Sequence, residues 1–149
     1  MKTNNLKRTD LSSLIHLRIL SQERLFVQKE KERLSTPILT DTSLLYPLYE
    51  WFNEILTVEK MEKHTTRREK QFIFIALFLF CPDTLTGGIY KVRNVRQKIA
   101  NILSLSKSSD VSLVANHVMF WYFSYPKFRK ETDHIYERLI QRLRKENII

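Results

Sequence analysis

Glycine is almost missing from this sequence: two residues in 149, adjacent at Gly87 and Gly88, where average usage of about 7% would give roughly ten. That scarcity excludes phosphate-cradling loops of the G-x-G-x-x-G or G-x-x-x-x-G-K type and argues against turn-rich sandwiches and barrels. A single cysteine, Cys81, excludes an internal disulfide framework and any multi-thiolate zinc site. Long apolar runs are also lacking. The strongest, residues 72–81 (FIFIALFLFC), has half the roughly 20 residues a bilayer crossing needs. Residues 1–10 are polar and lead into an amphipathic segment, so no secretory signal is expected.

What is present is apolar and basic. With 43% hydrophobic and 11% aromatic residues, the chain can build a core, and its length suits one domain with a short appended arm. The expected division is a helical arm or oligomerisation segment over 1–60 and a helical domain over 61–149. Charge follows that division. Residues 1–60 carry nine Lys/Arg and eight Asp/Glu, whereas 61–149 carry sixteen and eight. Between residues 84 and 130 there are eight basic residues and one acid, Asp110. Such asymmetry suits a polyanionic partner, although a solvated basic face without a partner has the same composition.

The periodicity predicts an all-α protein of about six helices, a bundle. The first spans about 11–34, with Asp10, Ser12 or Ser13 as cap, and Pro37 breaks it. The second starts near Thr42 or Pro47 and places Leu48, Trp51, Phe52, Ile55 and Leu56 at i, i+3, i+4, i+7, i+8. The third, 66–81, opens on a Thr66-x-x-Glu69 capping box, stops at Pro82 and is apolar nearly all round, hence buried. The fourth, about 92–103, puts Val92, Val95, Ile99, Ile102 and Leu103 on one stripe. The fifth, about 109–122, turns Val111, Val114, Ala115 and Val118 inward. The sixth, 126–145, starts at a proline and buries Phe128, Thr132, Ile135, Tyr136, Leu139 and Leu143.

The fourth and fifth helices resemble a helix-turn-helix pair in the C-terminal half. Ala100 is small enough for a close crossing, and Ile99, Leu103, Leu105, Val111, Val114 and Val118 can lock the helices together. A polar turn over 104–109 reorients the chain. The N-terminal part of the fifth helix would then enter a major groove. Ser108, Ser109, Ser112, Leu113, Asn116 and His117 become base-edge candidates, with Asn116 able to pair bidentately with adenine. Lys91, Arg93, Arg96, Lys98 and Lys107 become phosphate candidates, which for five contacts implies a log–log salt slope of about −4 to −5. Two features depart from the motif. Ser104 stands where glycine is common, and the fifth helix begins with Asp110 and has no Lys or Arg of its own. An apolar helix pair is also what any bundle contains.

Residues 68–75 (REKQFIFI), 78–82 (FLFCP), 85–88 (LTGG), 95–103 (VRQKIANIL), Val111-Ser112 and 128–133 (FRKETD) together resemble a group of small helical proteins of bacterial phages and mobile elements. The resemblance covers about residues 67–140. It implies a cytoplasmic setting in a bacterial cell and a helix-turn-helix-like fold, and it transfers no catalytic residue.

Enzymatic chemistry finds little footing. His16, His64, His117 and His134 are far apart in sequence, and none forms a metalloprotease-type spacing. Glu131, His134 and Glu137 share one helix face, the geometry of a weak metal site and equally of a surface charge network. Cys81, ending an apolar helix, reads as a small hydrophobe. The expected function is therefore non-enzymatic, with no catalytic residue, cofactor, metal or small-molecule substrate: a regulator binding double-stranded DNA, without membrane association. The alternative is a helical adaptor that never meets nucleic acid. Residues 119–125 (MFWYFSY) cannot all face inward on one helix, so they must pack on other helices or on another chain. A homodimer through them or through the first helix would suit a reader of two-fold sites. The aromatics there could also stack on unpaired bases.

Overall fold

The structure, a computed structural model, describes residues 9–149. Over that range it is all-α: α1 (Ser13–Ser35), α2 (Leu45–Val58), α3 (Thr66–Phe80), α4 (Val95–Ile102), α5 (Ser109–Ser124) and α6 (Pro126–Lys145), with short 3-10 turns at Thr42–Leu44 and Pro82–Thr86. No strand occurs among the described residues, and none of their helices is long and apolar enough to cross a membrane. The chain divides into a unit ending at Thr36 and a second unit, Pro37–Ile149. The division expected at residue 60 thus falls earlier, because α2 packs with α3, α4 and α6. Its periodic apolar face is a core face.

In the first unit, the Asp10 carboxylate accepts from the Ser12 backbone N–H at 3.0 Å just ahead of α1, and Arg33 pairs with Glu30 one turn apart at 2.9 Å. Leu14, Ile15, Leu17, Ile19 and Leu20 are all exposed. They occupy every side of the helix.

The second unit is built around α3. Phe72, Ile73, Ile75, Ala76, Leu77, Leu79 and Phe80 are buried, as an all-round apolar helix requires. Its cap lies one residue before the expected box: the Thr65 hydroxyl accepts from the Arg68 N–H at 3.3 Å. At its other end the Leu79 carbonyl, left without a helical donor, accepts from both Ile38 and Leu39 N–H at 2.9 Å. Leu45, Leu48, Phe52 and Leu56 bury the inner face of α2, with Phe52 edge-on to Phe72 at 5.5 Å. The α6 stripe buries Phe128, Thr132, Ile135, Leu139 and Leu143.

One charged group sits inside. Arg68, only 4% exposed, donates to the Glu62 carbonyl, to Gln71 Oε1 and to Glu131 Oε2, each at 2.7 Å. Arg67 reaches the other oxygen of Glu131 at 3.5 Å. Here α3 is tied to α6 by ionic contact beneath the surface.

Scarce glycine leaves its mark at the helix ends. Lys60, Ser104 and Asn147 have φ of 53°, 56° and 57°, the left-handed conformation usually given to glycine. Each closes a Schellman motif in which the following residue donates back five positions: Met61 to Leu56, Leu105 to Ala100 and Ile148 to Leu143, at 2.8–2.9 Å. Met61, Leu105 and Ile148 all pack against the core, which supplies the apolar contact that accompanies this motif. The two glycines serve a different turn. Gly87 has φ of 85°, and a Cβ on Gly88 would lie 2.7 Å from Asp83 Cβ.

Candidate nucleic-acid interface

The helix pair singled out by its sequence is assembled as a packed unit. Asn94, with φ of 66°, interrupts the expected fourth helix, so α4 starts at Val95 and Val92 is half-buried in the preceding loop. Val95, Ile99 and Ala100 are buried. After the Schellman turn at Ser104, the segment 105–108 folds Leu105 inward and leads into α5. Asp110 and Val111 donate to the Lys107 and Ser108 carbonyls at 3.1 and 3.2 Å. Asp110 lies 3.4 Å from the Ser106 hydroxyl, beside the helix N-terminus where an acid is favourable.

Four of the six base-edge candidates share one face of α5. Val111, Ala115 and Val118 point into the core, which turns Ser109, Leu113, Asn116 and His117 outward, all of them exposed. Phe120 extends the same stripe at 63% exposure. Ser108 is half-buried at the N-cap. Ser112 is half-buried too, its hydroxyl 3.2 Å from both the Tyr90 hydroxyl and Arg96 Nη1. It braces α4 against α5 and does not stand on the free stripe.

The phosphate candidates differ among themselves. Arg93 and Lys107 are exposed. Arg96 is exposed, donates to Ser112 and lies over the Tyr90 ring, 5.3 Å from its centroid. Both partners are neutral, so its charge stays uncompensated. Lys91 pairs with Asp83 at 2.9 Å. Lys98 is half-buried and donates to the Thr42 hydroxyl at 2.9 Å, fastening α4 to the turn before α2. The organising roles of Tyr90, Asp83 and Thr42 carry no sequence signal, because each lies in a loop or turn distant from its partner.

The Glu131, His134 and Glu137 face is not gathered into a metal site. Glu131 turns to Arg67 and Arg68, His134 Nε2 stands 3.1 Å from Glu59, and Glu137 is exposed. Among the described residues no three His, Cys, Asp or Glu side chains are placed to hold a metal ion. Cys81 is buried with its sulfur 3.8 Å from the Val92 carbonyl. Burial pushes its thiol pKa up, away from thiolate chemistry.

No protein-family model matches this chain, and comparison with curated proteins and with solved structures gives no match either.

Proposed function

We propose that the chain is a non-enzymatic, duplex-DNA-binding protein in which α4 and α5 act as a helix-turn-helix-like pair. One observation carries the reading. The outer stripe of α5, free of core packing from Ser109 to His117, lies beside Arg96, bonded to Ser112, and Lys107, just ahead of Ser109; with Arg93 exposed before α4, none of the three has a carboxylate partner among the described residues. On this reading Asn116 and His117 face base edges, and the three cations face phosphates. Asp110 limits how closely the first turn of α5 can approach a phosphate, which gives Arg93 and Arg96 the larger share of affinity. The resemblance to phage and mobile-element proteins adds a setting, that of an intracellular bacterial regulator.

The adaptor reading is favoured by Leu113 and Phe120, exposed at 60% and 63% on the same stripe, since exposed apolar side chains suit a protein partner. Anisotropy with labelled mixed-sequence duplex, at micromolar protein and about 50 mM salt, separates the two. DNA binding requires a saturable rise that Arg96→Glu suppresses. An adaptor gives no rise.

A further inference from the structure

We propose that the corner where α5 runs into α6 is a second nucleic-acid site, one that stacks unpaired bases. Phe120, Phe123 and Tyr125 lie within six residues of one another and are 63%, 65% and 48% exposed. None of them belongs to the core or to the half-buried residues packed against it. Their orientations are held: Phe120 meets Tyr125 edge-on at 6.2 Å, and Phe123 meets Tyr122 edge-on at 5.5 Å. An edge-on neighbour leaves a ring face open, which is the surface a nucleobase stacks on.

The charge around these rings is mainly positive, and Lys127 and Lys130 have no carboxylate partner among the described residues. Arg129 lies 4.9 Å from the Tyr122 ring and 5.9 Å from the Phe123 ring, and Lys127 and Lys130 are exposed in the first five residues of α6. The nearest acids are engaged within the protein. Asp133 accepts from the Tyr122 hydroxyl and stands 4.0 Å from Arg129, while Glu131 is taken by Arg67 and Arg68. Open rings between cations match a strand whose bases offer π-faces and whose backbone carries one negative charge per nucleotide. A duplex hides those faces, so the occupant is single-stranded or locally unpaired. An anionic membrane surface would meet the cations equally well, but it has no use for a ring face over any other apolar group.

Phe120 also extends the α5 stripe, whereas Phe123, Tyr125, Lys127 and Lys130 lie beyond it, and variants of these let each proposal fail alone. The test is anisotropy of the full chain with a labelled oligothymidine of about twelve nucleotides at about 50 mM salt. Substitution by leucine keeps apolar area and removes the π-face. Phe120→Leu and Phe123→Leu are expected to weaken oligothymidine binding about tenfold each with unchanged circular dichroism, and Phe123→Leu, two turns beyond Asn116, is expected to hold duplex affinity within about twofold. Arg96→Glu is expected to weaken duplex binding and spare the oligothymidine. The proposal is overturned if oligothymidine does not bind, or if the leucine variants bind it like the parent. It is also overturned if phosphatidylserine-containing vesicles bind parent and leucine variants alike and displace the oligothymidine from both. Loss of duplex binding alone overturns the helix-turn-helix reading and leaves this one standing.

Discussion

Arg96 of α4 donates from Nη1 to the Ser112 hydroxyl of α5 at 3.2 Å while its guanidinium lies over Tyr90. Two neutral partners orient the group without cancelling its charge. A positioned cation contributes to every duplex alike, whereas an amide on the groove-facing stripe contributes only where a base edge fits it. Arg96→Glu should therefore weaken binding to all duplexes. Asn116→Ala should mainly flatten discrimination, by about 1–3 kcal/mol at one base position. Competition binding across a set of duplexes checks both. If the two variants lose affinity equally on every sequence, α5 does not enter the groove.

Ser104 occupies a left-handed position that costs an L-residue about 1–2 kcal/mol, against an entropic cost for glycine of about 0.5–1 kcal/mol. Ser104→Gly should stabilise the protein by about 0.5–1 kcal/mol, and Lys60→Gly should do the same. Gly88→Ala has the opposite sign, because its Cβ would sit 2.9 Å from the Asp83 carbonyl oxygen. Urea midpoints at constant m would measure all three.

Removing Glu131 would strand Arg68, whose side chain is 5% exposed. Glu131→Ala should cost about 3–5 kcal/mol, while Arg68→Met combined with Glu131→Leu should cost less than the single change. A double-mutant cycle by denaturant unfolding tests this. A double-variant loss equal to the sum of the two single losses would show that the pair is not coupled.

How legible this was depended on whether a feature is local. The α6 stripe is readable except at Tyr136, which is half-buried: Pro126 fixes its start, and Phe128, Thr132, Ile135, Leu139 and Leu143 are spaced for one face. The α3 cap fell one residue early because Thr65 and Thr66 are equally good acceptors by type, and only the extended backbone at Thr65 decides. The unit boundary was misplaced because α2 reads the same whether it packs inward or on a partner. Within the candidate interface, the outward stripe of Ser109, Leu113, Asn116 and His117 followed from helical spacing alone. The bracing of Ser112 by Tyr90, the Lys91–Asp83 pair and the Lys98–Thr42 bond did not, since these join positions that only the tertiary fold brings together.

Burial raises the Tyr136 phenol pKa above its ordinary value of 10.0. Below that value the phenol is neutral in both folded and unfolded chains and adds no pH dependence. As pH rises past 10, the unfolded chain ionises first, so stability falls until the folded phenol also ionises. Tyr136→Phe should flatten this alkaline loss, and thermal midpoints of the two proteins between about pH 9 and pH 11 would show it.

Duplex affinity measured across salt concentrations reads how many cations of the α4–α5 pair meet phosphates. With Lys91 paired with Asp83, and Lys98 half-buried beside Thr42 and the Asp41 carboxylate, Arg93, Arg96 and Lys107 remain for phosphates. The log–log slope should be about −3, shallower than five contacts would give, and should fall by about one in Arg96→Ala. A duplex affinity that does not change with salt, or a slope that Arg96→Ala leaves untouched, would mean that α4 and α5 do not hold duplex DNA through these cations.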